Sequence, residues 1–307
     1  MTFEAFITTF FISLRHGSIV ALATLGIVLI YRTSKATNFA QGMIGTFNAY
    51  VAGYLMIHHG ASIWVATLVA LITAFITGVI IDKLFIRPAS KSSAVGKQIM
   101  TLGIILILVG IMNMNFGLIG RVTNTNNRVT RFIPTTQTVS IFGQNIPWDT
   151  VFVTVLAMVL MGAIFWFIQK TRWGLGVRVT ASNEPVARLM GVPTRTITML
   201  SWSVAAMLGT IAGIALASTQ GGITVGLLIG VQISAFFAAV LGGFQTFHGP
   251  VIMAYVLGFT LRMSRYIMMT VFAQSSVLAD ALIYTLVLVV LYFMPYGIFG
   301  KAPVRKV

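Results

Sequence analysis

The residues that most enzymes use for chemistry are scarce and scattered in this sequence. The chain has 307 residues but only four histidines, five acidic residues and no cysteine. The histidines and acids are His16, His58, His59, His248, Glu4, Asp82, Asp149, Glu184 and Asp280. None shows the spacing of a metal site or of paired carboxylates on one helix face, and no glycine-rich phosphate loop is present. We therefore predict no catalytic residue, no metal ion and no cofactor.

Polar side chains do occur inside one otherwise apolar stretch, TNFAQGMIGTFNAY. Its polar residues and glycines are Asn38, Gln41, Gly42, Gly45 and Asn48. Polar groups inside a membrane span are costly unless partnered, and they mark pathways more often than lipid-facing surface. Glycines at this spacing also permit close helix packing, so the residues leave a pathway role and a structural role open. Asn38 and Gln41 share one face if the segment is helical there.

A second interrupted stretch, AVLGGFQTFHGP, lies at residues 239–250 in the other half of the chain. Gly242 and Gly243 break it once, and Gly249 followed by Pro250 breaks it again. Irregular backbone at membrane depth survives only where it is buried in protein or lines a cavity. A broken segment in each half points to a central transport site.

Composition agrees with a membrane protein. Hydrophobic residues make up 57% of the chain and charged residues 8%, with a mean hydropathy of +0.95, whereas soluble domains carry roughly 25% charged residues. Stretches long enough to span a bilayer lie near 14–30, 38–56, 62–81, 99–116, 150–168, 197–217, 228–247, 250–268 and 278–294. We predict an all-α membrane protein: one domain over residues 1–307, forming a polytopic bundle of about eight or nine transmembrane helices with Gly/Pro-broken segments. Residues 3–14 are either a short interfacial helix or an extension of the first span.

The net charge of +15 follows mainly from orientation, which makes nucleic-acid binding an unsupported interpretation. If the loops after the first, third and fifth spans and the C-terminus are cytoplasmic, they hold 14 of the 20 cations. The N-terminus and the 117–149 loop then lie outside. The cations that do not fit are Arg15, Arg121, Arg128, Arg131, Arg262 and Arg265. Arg262 and Arg265 fall near the end of the eighth span, where we expect them to reach the interface.

The basic segment at 170–196 is longer than a connection requires. Residues 181–190 are predicted to form a short helix, with Ser182 or Asn183 as N-cap, Pro185 in its first turn and Gly191 as its stop. Such a helix outside the bilayer suits docking of a cytoplasmic partner. A solvated, positively charged loop is the alternative that the residues leave open.

Five segments in order resemble the permeases of branched-chain amino-acid type ABC importers. They are ALATLGIVLIYRTSKATNFAQGMIGTFNAYVAGY, LFIRPASKSSAVGKQIMTLGIILIL, RWGLGVRVTASNEPVARLMGVPT, AAVLGGFQTFHGPVIMAYVLG and LYFMPYGIFGK. The resemblance covers nearly the whole chain. It implies a multi-pass protein of the inner (plasma) membrane of a bacterium and an importer subunit without ATPase activity of its own.

The resemblance also implies partners and site residues. The partners are a second, related permease chain, two cytoplasmic ATP-binding subunits and a periplasmic or lipid-anchored substrate-binding protein. Carried over by motif, the ATPase-coupling loop (170–196) contains Gly174, Arg178, Ala181, Asn183, Ala187 and Gly191. The translocation pathway contains Asn38, Phe39, Gln41 and Gly42, with Gly242 and Gly243 facing them from the other half.

The sequence departs from the family where members commonly carry an acidic residue after a glycine in the eighth span. Here Gly258 is followed at that place by Arg262. The substrate thus stays open between a branched-chain or related amino acid and urea or a short amide. A self-powered secondary carrier, with Arg262 and Arg265 binding a substrate carboxylate, is another class of explanation. A purely structural membrane protein would not account for the paired broken segments.

Overall fold

The computed structural model describes residues 3–114, 129–134, 136–220 and 222–300, and these residues are almost all helical. The α-helices are α1 Phe3–Ser34, α2 Gln41–His59, α3 Ile63–Ile81, α4 Ala94–Asn113, α5 Trp148–Lys170, α6 Arg172–Ser182, α7 Glu184–Leu189, α8 Thr194–Gln220, α9 Ile229–Gly242, α10 His248–Thr270 and α11 Ser276–Phe293. A π-helical turn at Asp82–Ile86 and a 3-10 turn at Pro88–Lys91 extend α3. Strands β1 Thr138–Ile141 and β2 Gln144–Pro147 form an antiparallel hairpin.

The predicted helical membrane bundle is confirmed. Seven of the described helices, namely α1, α3, α4, α5, α8, α10 and α11, are long and apolar enough to cross a membrane. The two other predicted spans correspond to α2, which has 19 residues but is more polar, and to α9, which has only 14. Residues 3–14 extend the first span rather than forming a separate helix. The β-hairpin is the one departure from an all-α fold within the described residues.

Helices α1 and α8 form the centre of the bundle. Along the most apolar window of α1, 83% of the residues are buried, against 11% in α11. Helix α1 packs against α5, α8, α9 and α10, and α8 also packs against α2 and α3. The periphery consists of α3, α4, α5 and α11, whose large apolar side chains are exposed as a lipid-facing surface requires.

The bundle has two ends, which α5 connects. The hairpin lies directly before α5, and α6 and α7 follow it. Because the 23 residues of α5 span about 34 Å, the hairpin and the α6–α7 segment lie on opposite sides of the bundle. We call these two sides the hairpin end and the loop end. Several cations used to predict the topology lie outside the described residues: Arg121, Arg128, Lys301, Arg305 and Lys306.

Small residues allow the central helices to approach closely. A Cβ atom added at Gly45 of α2 would lie 2.5 Å from the carbonyl oxygen of Gly209 in α8. One added at Gly258 of α10 would lie 2.6 Å from the Cα of Gly17 in α1. Such backbone contacts between small residues hold helices together in lipid, where apolar burial contributes little.

Gly78 in α3 offers a test of this packing. A Cβ added there would lie 2.4 Å from the Cα of Ser203 in α8, and backbone cannot move aside easily. We expect Gly78→Ala to destabilise the protein by about 1–3 kcal/mol, as overpacking does. In a thermal unfolding experiment in detergent, the melting temperature should fall by several degrees. The control is Gly103→Ala in α4, because nothing lies within 4 Å of its added Cβ. Equal melting of both variants would contradict this account of the α3–α8 contact.

Candidate functional site

The link between α1 and α2 returns into the bundle instead of staying at its loop end. Helix α1 ends at Ser34, and Lys35 adopts a left-handed φ of +55°. Helix α2 then begins at Gln41, whose Nε2 donates to the carbonyl oxygen of Ala205 at 2.7 Å. Ala205 lies eleven residues into α8, about 16 Å from the start of that helix. The first turn of α2 therefore lies deep inside the bundle.

The side chain of Asn38 stabilises the link between α1 and α2 through two hydrogen bonds. Asn38 accepts the backbone N–H of Ala40 on its Oδ1 at 2.9 Å and donates from Nδ2 to Oε1 of Gln41 at 3.2 Å. Asn38 precedes α2 and is not helical. The condition under which Asn38 and Gln41 would share one helical face is therefore not met, because the backbone is not helical at Asn38.

Helix α9 begins at the same depth and meets the first turn of α2. Gln232 of α9 accepts the backbone N–H of Gly42 on Oε1 and donates from Nε2 to the carbonyl oxygen of Asn38 at 3.3 Å. Helix α9 then runs towards the loop end, where the ring of Phe244 packs at a tilt against that of Tyr31, with ring centroids 4.3 Å apart. We call the meeting place of the two first turns the junction. The N-termini of α2 and α9, which carry the positive ends of the helix dipoles, face each other there.

A cavity of about 250 Å³ lies at the junction. It is lined by Phe39, Gly42, Met43, Thr46, Ile105, Ile229, Gln232 and Ile233. Of the predicted pathway residues, Phe39 and Gly42 line this cavity. Asn38 and Gln41 are fully buried behind it and bond to backbone and to each other. Their geometry supports the structural role that the sequence left open.

Sequence reasoning missed Gln232, which provides the polar wall of the cavity. The signal was one amide side chain within the apolar run of α9, near its start. The lone amide could be recognised as important only once the opposing turn of α2 was known.

Gly242 and Gly243 do not face the first turn of α2. A Cβ added at Gly242 would lie 2.2 Å from the nitrogen of Pro250, and one added at Gly243 would lie 2.9 Å from Gly300. The two glycines end α9 at the loop end and let the chain turn sharply into α10. Gly243 has a φ of +77°, which glycine adopts without strain. The 14-residue length of α9, about 21 Å, separates them from the junction.

The 170–196 segment forms two helices at the loop end. The predicted short helix is present as α7, where Oδ1 of Asn183 accepts the backbone N–H of Val186 at 3.3 Å and Pro185 occupies the first turn. Gly191 follows with a φ of +78°. Helix α6, which precedes α7, was not predicted. Within α7, Arg188 pairs with Glu184 at 2.6 Å, one turn apart.

Some of the predicted coupling residues are buried, and others are exposed. Gly174 packs directly on the backbone of Ile168, and Ala181 and Ala187 are buried, whereas Arg178 is exposed. The most exposed large apolar side chains of the segment are Leu189 at 88% and Met190 at 72%. Sequence reasoning did not single out either residue. This exposed apolar face lies at the C-terminal end of α7.

One contact joins this segment to the junction. The ammonium group of Lys35 donates to the carbonyl oxygen of Ala181 at the end of α6. Burial, and after it the charge of Arg32, lowers the pKa of Lys35. Because Lys35 lies in the short link before α2, this hydrogen bond ties α6 to the segment that positions Asn38.

Most acidic residues are ion-paired within the structure. Asp149 lies 2.9 Å from Arg15, and both side chains are buried. Arg265 binds Asp280 through two hydrogen bonds of 2.5 and 2.8 Å. Arg265 thus has a carboxylate partner on α11, and its expected position at the membrane interface stays a prediction. Among the described residues, no group of three His, Asp or Glu side chains could hold a metal ion.

Comparisons with known proteins agree on one family. Residues 9–293 match the family described as "Branched-chain amino acid transport system / permease component". The chain is 26% identical to a probable branched-chain amino acid transport permease protein LivH of Methanocaldococcus jannaschii, covering 93% of this chain and 90% of that protein. It is also 26% identical to the high-affinity branched-chain amino acid transport system permease proteins LivH of Escherichia coli and BraD of Pseudomonas aeruginosa. These alignments cover 99% of each chain for LivH, and 95% of this chain and 94% of the other for BraD.

The structural role of Gln41 can be measured directly. Gln41→Leu keeps the side-chain size but leaves Nδ2 of buried Asn38 without its acceptor and removes the bond to Ala205. An unpaired buried polar group costs about 1–3 kcal/mol. The melting temperature of the purified protein should therefore fall by several degrees. Gln169→Leu, at an exposed position on α5, is the matched control and should melt like the wild type. A Gln41→Leu protein as stable as this control would argue against the structural role.

Proposed function

Since the chain belongs to the family of branched-chain amino acid transport permease components, we propose that it is the permease subunit of an ATP-driven importer. The solute is a branched-chain or related amino acid, and it moves inward across the bacterial plasma membrane. The observation that carries the proposal is the junction. Two helix N-termini and irregular backbone meet at mid-depth beside a cavity. Membrane transporters use this arrangement to bind solutes.

The ion pairs of the described residues support an external energy source. Four of the five acidic residues bind arginine within the structure: Asp82, Asp149, Glu184 and Asp280. Carriers driven by protons or sodium depend on intramembrane groups that change their charge or bind the ion. Carboxylates already neutralised by arginine are poorly suited to that task. The proposal therefore assigns ATP hydrolysis to two cytoplasmic partner subunits, which act with a second permease chain and a substrate-binding protein outside.

The route from the ATPases to the junction starts at α7. Leu189 and Met190 offer an exposed apolar surface for docking, and α6 leads back to Lys35 through the carbonyl oxygen of Ala181. The link that follows Lys35 positions Asn38 and the first turn of α2. Closure of the ATPases would move α6 and α7 and thereby shift α2 relative to α9. Phe39 and Gly42, which line the junction cavity, are then the residues of the predicted pathway nearest to the passing solute.

The orientation and the docking surface can be tested together with single cysteines, since the chain has none of its own. We expect Leu189→Cys to react with a membrane-impermeant maleimide only from the cytoplasmic side, because its position is 88% exposed at the loop end. Assembly with the ATPase subunits should block that reaction. Phe142→Cys, at the tip of the hairpin and 77% exposed, is the control. It should react only from outside and should stay reactive in the complex.

Two results would contradict the proposal. Labelling of Leu189→Cys from outside would reverse the topology. Unchanged labelling of Leu189→Cys in the assembled complex would show that α7 is not where the ATPases dock.

The energy source gives a further prediction. The permease alone in liposomes should not accumulate labelled leucine under a sodium or proton gradient. Addition of the partner permease, the ATPases and the binding protein should produce uptake that requires ATP hydrolysis. An ATPase variant without its catalytic carboxylate serves as the control and should abolish uptake. Gradient-driven accumulation by the lone chain would identify a secondary carrier, and ATP-dependent uptake of urea in preference to leucine would reassign the solute.

A further inference from the structure

A second and larger cavity opens at the hairpin end. Its volume is about 530 Å³, and its walls come from α1, α5, α8, α9 and α10. Four arginines line it, namely Arg15, Arg131, Arg262 and Arg265, together with His16. We call this cavity the vestibule. A concentration of cations beside membrane-spanning helices is costly to maintain, so a function is expected for it.

The charges around the vestibule are only partly neutralised. Arg15 has Asp149 and Arg265 has Asp280 as ion-pair partners. Arg131 and Arg262 have no carboxylate within ion-pair distance among the residues that the structure describes. These two guanidinium groups leave the vestibule positively charged.

Arg15 also retains an unused donor. Its side chain is 5% exposed, and its Nε lies buried without a hydrogen-bond partner in the described part of the chain. Its Nη2 lies 2.9 Å from Oδ2 of Asp149 and donates to the carbonyl oxygen of Ala215 at 3.0 Å and to Oγ of Ser218 at 3.2 Å. Buried donors are rarely left unpaired without a functional reason. Arg15 lines the vestibule, and a guanidinium group binds carboxylates through paired donors in one plane.

Helix α9 connects the vestibule to the junction. Gly230 and Val231, in its first turn, line the vestibule, while Ile229 and Gln232 line the junction cavity on the other side. The first-turn amides of a helix lack partners within the helix and favour an anion. The vestibule also has apolar walls at Ile12, Ile19, Leu216 and Leu227. It therefore offers cations for a carboxylate and an apolar surface for an aliphatic side chain.

We propose that the vestibule binds the carboxylate of the incoming solute before the solute reaches the junction. The unpaired Arg262 and Arg131 attract the anion, and Arg15 orients it beside the first turn of α9. The inference rests on the proposed import of a small solute and specifies its chemistry. An aliphatic carboxylate is accepted, and a neutral amide or urea is not, because neither can neutralise the guanidinium groups.

The test compares 4-methylpentanoate with 4-methylpentanamide, which share a size and shape but differ in charge. Binding is measured by ligand-observed NMR on the permease–ATPase complex in phosphatidylcholine nanodiscs, without the binding protein. The wild type should bind the carboxylate about tenfold more tightly than the amide, as expected for hydrogen bonds to a charged group. Arg262→Gln should bring the two affinities within about twofold. Arg262→Lys, which keeps the charge, should retain a preference.

The control is Lys83→Gln, which removes one exposed cation at the loop end and should leave the preference unchanged. Arg131→Gln is a second vestibule variant for the case that Arg262→Gln fails to assemble. The proposal is overturned if the wild type shows no preference for the carboxylate, or if Arg262→Gln and Arg131→Gln both keep the full preference. ATP-dependent leucine uptake with a non-selective vestibule would reject this inference and leave the proposed function standing. Carboxylate binding without ATP-dependent uptake would do the reverse.

Discussion

The fold depends on how two helices can begin inside a membrane protein without leaving backbone groups unpaired. Unpaired N–H and C=O groups in hydrocarbon cost several kcal/mol each, yet α2 and α9 both start at mid-depth. The side chain of Gln232 pairs two of these backbone groups. It accepts from the N–H of Gly42 and donates to the carbonyl oxygen of Asn38. Asn38 itself caps the link through Ala40. The amides thus permit the irregular backbone on which the junction cavity depends.

The same constraint explains why the central helices are rich in small residues. Helix α2 packs closely on α8, and Gly26 of α1 and Gly209 of α8 leave room for the Gln41 side chain between them. Gln41 then bonds to Ala205 across that contact. Close packing and polar bonding thus occur at the same place, on the side of the junction that α8 forms. The cavity wall towards α4 is apolar and includes the side chain of Ile105.

Charge is distributed differently at the two ends. At the loop end, cations lie on α6, α7 and their neighbours, where they match the pattern of the positive-inside rule. At the hairpin end, arginines line a cavity, and only two of the four have ion-pair partners among the described residues. Arg15 and Asp149 also tie α1 to α5 there, far apart in sequence. The first pattern relates to the orientation of the protein in the membrane, whereas the second gives the vestibule its positive charge.

The sequence by itself determined the membrane bundle, most span positions and the α7 helix, because these depend on local hydropathy and on capping residues such as Asn183 and Gly191. It also located the polar stretch around Asn38 and Gln41. Only the tertiary structure decided that α2 and α9 start at the same depth, that Gln232 joins them, and that Gly242 lies away from them. The first two of these features depend on contacts between residues some 190 positions apart, and hydropathy along one segment carries no information about which distant segment lies opposite.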